Sequence, residues 1–159
     1  MRDSVFDTVD DAPRAGQAAK PAILVSACLL GVECTHRGGS KTNEAVGRLA
    51  EVARLVPICP EVAGGLPIPR PSAEIGRDGR VRTQSGDDVT HCYERGAEQA
   101  LALALAEGVQ GAVLKARSPS CGSREIYDGT HSGVLIDGEG VTAAALRRAG
   151  VEVISEEDL

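Results

Sequence analysis

Aromatic residues are scarce in this 159-residue chain, which has one Phe, two Tyr and no Trp. Proteins that bind single-stranded nucleic acid usually stack bases on exposed aromatic rings, so this composition argues against such a surface. The formal net charge of −6 argues in the same direction, because phosphate binding depends on clustered Lys and Arg. We therefore expect no nucleic-acid partner.

Long hydrophobic runs are also missing. No stretch approaches the roughly 20 consecutive apolar residues of a membrane helix, so we expect no membrane partner. Residues 1–20 contain four Asp and lack the apolar centre of a signal peptide, and we interpret them as a disordered tail. The remaining length suits one domain, residues 21–159, and we predict a cytoplasmic protein. The sequence leaves the oligomeric state open.

Short apolar runs alternate with helical patterns after the tail. Strands are predicted at 21–28, 56–60, 111–116 and 151–155, and helices at 43–55, 87–108 and 141–150. The segment 61–86 is dense in Gly and Pro, which excludes a helix and suggests a hairpin. A loop and a second hairpin are predicted to follow the third strand, through residue 140. Alternating strands and helices predict a single compact three-layer α/β domain, with a mostly parallel, Rossmann-like sheet and helices on both faces.

Five cysteines, an odd number, do not suit a secreted disulfide framework, and in a reducing compartment such thiols are more often ligands or catalysts. Cys28 ends the first predicted strand, Cys59 ends the second, and Cys121 lies in the loop after the third. The carboxyl ends of parallel strands face one crevice, so these three thiols are expected to meet there. Cys92, inside a predicted helix, is assigned to packing.

The spacing of these cysteines favours an iron–sulfur cluster. Structural zinc sites prefer C-x-x-C pairs, which this chain lacks. A [4Fe–4S] cluster on three cysteines has one iron without a protein ligand, open to a soft atom such as a substrate's sulfur. Cys34, six residues after Cys28, is either a fourth ligand or a neighbouring thiol.

Polar residues near these cysteines are candidates for catalysis. Glu61, two residues after Cys59, is either a proton-transfer group in the crevice or a solvent-exposed loop residue. Ser118 and Ser120 either donate to substrate or cluster sulfur, or cap the following turn. Three basic residues either offset the cluster's charge or are solvated: Arg70, Lys115 and Arg117.

Three segments, SACLLGVEC, CPEVAGGLPIPRPSAEI and LKARSPSCGS, resemble the family known as domain of unknown function 523 (DUF523), which includes thiouracil desulfidases. The likeness extends from about residue 21 to 159. It implies non-redox desulfuration of a thiolated pyrimidine, such as 2-thiouracil, by a [4Fe–4S] cluster, with release of hydrogen sulfide. It assigns the cluster ligands to Cys28, Cys59 and Cys121, the acid/base to Glu61, and the assisting hydroxyl to Ser118, with Ser120 as second choice.

The segment CTHRG, residues 34–38, departs from the CRYDG common in the family, so His36 and Arg37 replace an aromatic residue and an acid. This change affects the substrate that is expected rather than the cluster ligands. Two other interpretations use the same cysteines. A cluster or sulfur carrier without catalysis would need neither Glu61 nor a serine. A structural zinc domain would need Cys34 as a fourth ligand.

Overall fold

The computed structural model describes residues 4–8 and 19–159, which contain five α-helices and eight strands. The helices are α1 (Val5–Thr8), α2 (Glu44–Arg48), α3 (Pro60–Ala63), α4 (Thr90–Glu107) and α5 (Val141–Arg148). The strands are β1 (Ala22–Ser26), β2 (Arg54–Ile58), β3 (Ala73–Ile75), β4 (Val81–Thr83), β5 (Gly111–Leu114), β6 (Glu125–Tyr127), β7 (Leu135–Asp137) and β8 (Glu152–Ser155). Short 3-10 turns follow β1 (Ala27–Leu30), α2 (Leu49–Glu51) and β8 (Glu156–Asp158).

Four parallel strands form the central sheet in the order β2-β1-β5-β8. The chain leaves β1 toward β2 on one side and leaves β5 toward β8 on the other. The neighbouring strands β1 and β5 therefore form the point where the connections diverge, and the loops after them border a crevice. Parallel sheets of this kind place their ligands in that crevice.

Side chains alternate between the two faces of the sheet and pack against helices on each. Leu24 packs with Ala100 of α4 and Leu146 of α5. Ile23, the preceding residue of β1, packs on the other face with Val46 of α2. The predicted single-domain α/β architecture with a parallel sheet is confirmed.

Both predicted hairpins are present, as β3–β4 and β6–β7. Several local predictions are wrong. The helix predicted over 43–55 ends early, because β2 begins at Arg54. The first strand gives way to a 3-10 turn at Ala27. The Gly- and Pro-rich segment contains the one-turn helix α3, whose first residue is Pro60, a position where the missing N–H of proline has no cost.

Within residues 1–20, the structure describes residues 4–8 and 19–20. Here Val5–Thr8 form the short helix α1. The N–H of Val5 donates to Glu152 at 2.7 Å, and Phe6 packs against the core on the α2 face. The remaining residues of the predicted tail lie outside the described part of the chain. No helix of the described residues is long and apolar enough to span a membrane.

Two glycines set the position of α3 against α4. A Cβ on Gly64 would lie 1.9 Å from the carbonyl oxygen of Cys92, and one on Gly96 would lie 2.0 Å from that of Pro60. Only glycine permits backbones to approach this closely. The contact carries Glu61, on α3, toward Tyr93 on α4.

Candidate active site

Four cysteines lie at the carboxyl end of the sheet. Cys28 lies in the 3-10 turn after β1, Cys59 directly follows β2 and caps α3, and Cys121 lies in the loop after β5. Cys34 lies in the loop between the Cys28 turn and α2. Cys34 and Cys121 are buried, whereas Cys28 and Cys59 are half-buried. All four are free thiols.

These thiols are close enough for the charge of one to change the pKa of another. Burial, and then the neighbouring Cys59, raises the pKa of Cys28 to about 11. The same two causes raise the pKa of Cys34 to about 12. Burial raises the pKa of Cys121 to about 12, opposed by hydroxyl hydrogen bonds from Ser26 and Ser120 and reinforced by Cys28. At neutral pH the thiols of Cys28, Cys34 and Cys121 are therefore protonated in the metal-free protein.

The donor set fits a cluster better than a single ion. In the described part of the chain, no three His, Cys, Asp or Glu side chains are placed to hold one metal ion. Tetrahedral zinc with Zn–S bonds of about 2.3 Å would need thiolates roughly 3.8 Å apart. A cluster is held from several directions by more widely spaced sulfurs, and thiolates are the ligands that it prefers.

The carboxylate of Glu61 is fixed by three side-chain donors. Its Oε1 accepts from Nε of Arg70 at 3.0 Å and from the hydroxyl of Tyr93 at 2.8 Å. Its Oε2 accepts from Oγ of Ser120 at 3.1 Å. Burial, and then the charge of Glu61, strongly raises the pKa of Tyr93, so its phenol is neutral and donates. Of the two alternatives for Glu61, the structure places it inside, with a side chain 15% exposed.

Arg70 connects this carboxylate to the cysteines. Its guanidinium, 3% exposed, donates to the carbonyl oxygen of Cys34 at 2.8 Å and to that of Pro67 at 3.2 Å. Nη2 lies 4.0 Å from Sγ of Cys59. Arg70 is thus a buried cation beside both Glu61 and the thiols, and not a solvated surface residue.

The two serines of the SPSC segment have different contacts. Oγ of Ser118 accepts the N–H groups of Ser120 and Cys121, both at 3.1 Å, which is the capping role. Oγ of Ser120 donates to Glu61 and lies 3.6 Å from Sγ of Cys121. The two hydroxyls are 2.9 Å apart. Ser120 is therefore the serine in direct contact with both the carboxylate and a cysteine.

Comparison with known proteins places this chain in a family. Residues 23–158 match the family 2-thiouracil desulfurase. The chain belongs to the 2-thiouracil desulfurase family. It is 45% identical over 146 residues to YbbK, an uncharacterized protein of Bacillus subtilis (strain 168), covering 86% of this chain and 97% of that protein. It is also similar to the solved structure of a [4Fe–4S]-dependent thiouracil desulfidase, TudS, with 52% identity and a TM-score of 0.82, covering 88% and 93% of the two chains.

Membership of the desulfurase family confirms the resemblance inferred from the three sequence segments. The loop of residues 34–38, which departs from the CRYDG pattern, lies beside Arg70 and Glu61. The carbonyl oxygen of His36 accepts from the N–H of Arg70 at 2.8 Å, and its ring is within electrostatic range of Glu61. Burial, and then Arg37, lowers the pKa of His36. The residues that depart from the family pattern therefore border the site.

Sequence reasoning missed two polar residues of this candidate site. Tyr93 is 1% exposed and Ser26 is 2% exposed, and both donate to site residues. Tyr93 had one sequence signal, as an isolated aromatic residue near the start of a helix rich in Ala. Cys92, assigned to packing, lies on α4 with Sγ 3.8 Å from Nε2 of His91.

Proposed function

We propose that this protein is a [4Fe–4S]-dependent desulfidase that converts a thiolated pyrimidine, such as 2-thiouracil, to the oxo compound. Water supplies the oxygen and two protons, and the sulfur leaves as hydrogen sulfide, so the reaction needs no external electrons. The observation that carries this proposal is the carboxylate of Glu61, held by Arg70, Tyr93 and Ser120 beside gathered thiols.

We assign the cluster ligands to Cys28, Cys59 and Cys121, one from each of three strand ends. When bound, such a cluster supplies one iron without a protein ligand, a Lewis acid suited to a thiocarbonyl sulfur. Cys34 is assigned a neighbouring role, because its backbone carbonyl is the acceptor for Arg70. The cation of Arg70 offsets the negative charge of the thiolates.

Glu61 is assigned the proton transfers. Oε1 already accepts two hydrogen bonds, whereas Oε2 accepts only one and retains a lone-pair site. The carboxylate can therefore accept a proton at Oε2 from water that attacks the ring carbon. Ser120 is assigned the assisting hydroxyl in place of Ser118, because it donates to Glu61 directly. Arg70 and Tyr93 keep the carboxylate oriented.

The alternative, a cluster or sulfur carrier without catalysis, would use the same cysteines. A carrier has no use for a carboxylate held by three donors in a buried setting, and this favours the enzyme. The five free thiols fit a reducing compartment, so we propose a cytoplasmic location. The proposed partner is a small thiolated nucleobase.

Anaerobic reconstitution followed by a turnover assay tests this function. A broad absorption band near about 400 nm should accompany cluster binding. Incubation with 2-thiouracil should then release sulfide and uracil in equal amounts, in proportion to cluster content. The matched controls are Cys92→Ser, which should retain both, and Cys59→Ser, which should lose both.

Two outcomes would contradict the proposal. A protein that binds the cluster but releases no sulfide from any thiolated pyrimidine would be a carrier. A colourless protein that binds zinc in preference to iron would be a structural zinc domain.

A further inference from the structure

We propose that Glu156, in the 3-10 turn at the carboxyl end of the chain, is a positioning residue that holds the loop of residues 115–121 in its working conformation. This inference builds on the proposed function, because that loop carries Ser118, Ser120 and Cys121. No part of Glu156 touches the reacting atoms. Its role is argued from the contacts of the loop.

Both carboxylate oxygens of Glu156 bind the beginning of the loop. Oε2 accepts the backbone N–H of Ala116 at 2.8 Å, and Oε1 pairs with Nζ of Lys115 at 3.0 Å. The side chain of Glu156 is 9% exposed. A buried charge-assisted hydrogen bond to a backbone N–H fixes the path of the main chain in a way that an exposed ion pair does not.

Glu156 is itself fixed by its neighbours. Ser155 pairs with Leu114 in the sheet, so the turn begins level with the end of β5. Oγ of Ser155 accepts the N–H of Glu157, and Asp158 accepts the N–H of Ser155 in return, which forms a capping box. This reciprocal pair holds the turn as a rigid support.

The loop needs such a support, because Arg117 has φ +66°. This left-handed conformation is unfavourable for residues with a Cβ, and it persists only where the surroundings impose it. The guanidinium of Arg117 pairs with both carboxylate oxygens of Glu157, Nη1 with Oε1 at 2.8 Å and Nη2 with Oε2 at 3.1 Å. These contacts lie next to those of Glu156. Two consecutive acids of the turn thus hold three consecutive residues of the loop.

The residues held by Glu156 and Glu157 are connected to the candidate site by hydrogen bonds. The N–H of Lys115 donates to Oγ of Ser26 at 2.9 Å, and Ser26 in turn donates to Cys121. The ammonium of Lys115 also acts on the charge of Cys28. Losing Glu156 would leave the N–H of Ala116 unpaired and remove the ion pair of Lys115, whose ammonium would keep its hydrogen bond to the carbonyl oxygen of Ala116. The residues that follow would then be held less firmly.

The test compares three Glu156 variants with a matched control. Glu156→Ala removes the contact, Glu156→Asp keeps the charge but shortens its reach, and Glu156→Gln keeps an oxygen that can accept from Ala116. Glu107→Ala, in the exposed pair with Arg54, is the control. Hydrogen exchange of the cluster-free protein, cluster loss to a chelator, and kcat and KM per cluster are measured for each.

We expect Glu156→Ala and Glu156→Asp to speed exchange in residues 115–121 by about tenfold or more, the effect of one buried hydrogen bond, with β1 and β5 unchanged. Cluster loss should quicken and kcat should fall by about tenfold, while KM changes less than about threefold. For Glu156→Gln, these quantities should stay within about threefold of their wild-type values. The control Glu107→Ala should have wild-type values. A Gln variant as impaired as Ala would contradict the role of the Ala116 contact.

Two further results would overturn the proposal. Wild-type exchange in 115–121 for both the Ala and Asp variants would show that Glu156 does not hold the loop. Faster exchange throughout β1 and β5 in every variant would make Glu156 a residue of global stability instead. The exchange experiment needs neither cluster nor substrate, so it stands even if the wild-type protein releases no sulfide.

Discussion

Replacing Glu61 by Gln removes one charge and leaves the shape of the site nearly unchanged. The amide oxygen can still accept from Arg70 and Tyr93. The amide nitrogen would face Ser120, whose hydroxyl can accept as well as donate. The cluster ligands are untouched, so the variant should take up iron and sulfide as wild type does. Any loss of turnover per cluster then reports on proton transfer.

The expected loss follows from the role assigned to the carboxylate. General base catalysis contributes typically about 10² to 10⁴ in rate, and turnover per cluster should fall within that range. The variant also loses the charge that faces the buried guanidinium of Arg70. A hydrogen bond to a charged group contributes about 1.5–3 kcal/mol to stability. For a protein of this size the Tm should fall by roughly 3–12 °C, at about 2–4 °C per kcal/mol.

A second substitution separates the two effects. Arg70→Met leaves the mostly buried carboxylate of Glu61 without its cation, which should destabilise the fold by about 3–5 kcal/mol but retain part of the turnover. In Glu61→Gln/Arg70→Met the unpaired charge is gone. The double variant should therefore be about 1–3 kcal/mol more stable than the sum of the single effects predicts, with turnover as low as that of Glu61→Gln alone.

The assay combines thermal unfolding of the cluster-free proteins with anaerobic sulfide release per cluster. Glu107→Gln, in the exposed ion pair with Arg54, is the control and should cost less than about 1 kcal/mol. Wild-type turnover per cluster in Glu61→Gln would remove Glu61 from the mechanism. Strictly additive stability effects of the Glu61 and Arg70 substitutions would refute the argument that this ion pair is energetically coupled.

Three other predictions follow from the same site. Serine substitution of any of the proposed ligands should abolish the absorption near about 400 nm, whereas Cys34→Ser should keep its iron content if only three cysteines bind: Cys28, Cys59 and Cys121. Tyr93→Phe should lower turnover only a few-fold, because Arg70 and Ser120 still hold the carboxylate, and unfolding should show a loss of about 1 kcal/mol. The cluster-free protein should lose stability as pH rises from about 9 toward 11 or 12. Thiols with a raised pKa in the folded protein stabilise it below their ordinary value of 9.0, and ionisation favours the unfolded chain above it, which urea unfolding at several pH values would measure. If stability stayed constant over that range, the thiols would not be buried as described.

The sequence was sufficient to predict the sheet and the place of the cysteines. Short apolar runs separated by helical patterns define β1, β2, β5 and β8, and parallel strands bring their carboxyl ends together whatever lies between them. Local boundaries were less predictable. Composition excluded a helix over 61–86, yet one helical turn needs few hydrogen bonds and can begin at Pro60. Its stability comes from packing against α4, which no local pattern shows.

The partners of Glu61 were harder to predict, because each comes from a different part of the chain. Arg70 reaches it from the Pro-rich loop, Tyr93 from a helix and Ser120 from the loop after β5. The sequence spacing of these three residues does not indicate that they contact the same carboxylate. What distinguishes Arg70 from a solvated arginine is its burial, and burial follows from how α3 and the loops pack after the sheet has formed.

The buried pair of Glu61 and Arg70 is itself an argument for function over stability. Removing two charges from water carries a desolvation cost that their attraction often fails to offset, and well-packed apolar residues commonly stabilise such a position better. Here the guanidinium also donates to two backbone carbonyls and lies beside Cys59, so it contributes to the site in three ways at once. Storage of a cluster would not require an anionic carboxylate next to anionic sulfur, since the two repel. A carboxylate kept there by three donors is what the proposed activation of water would require.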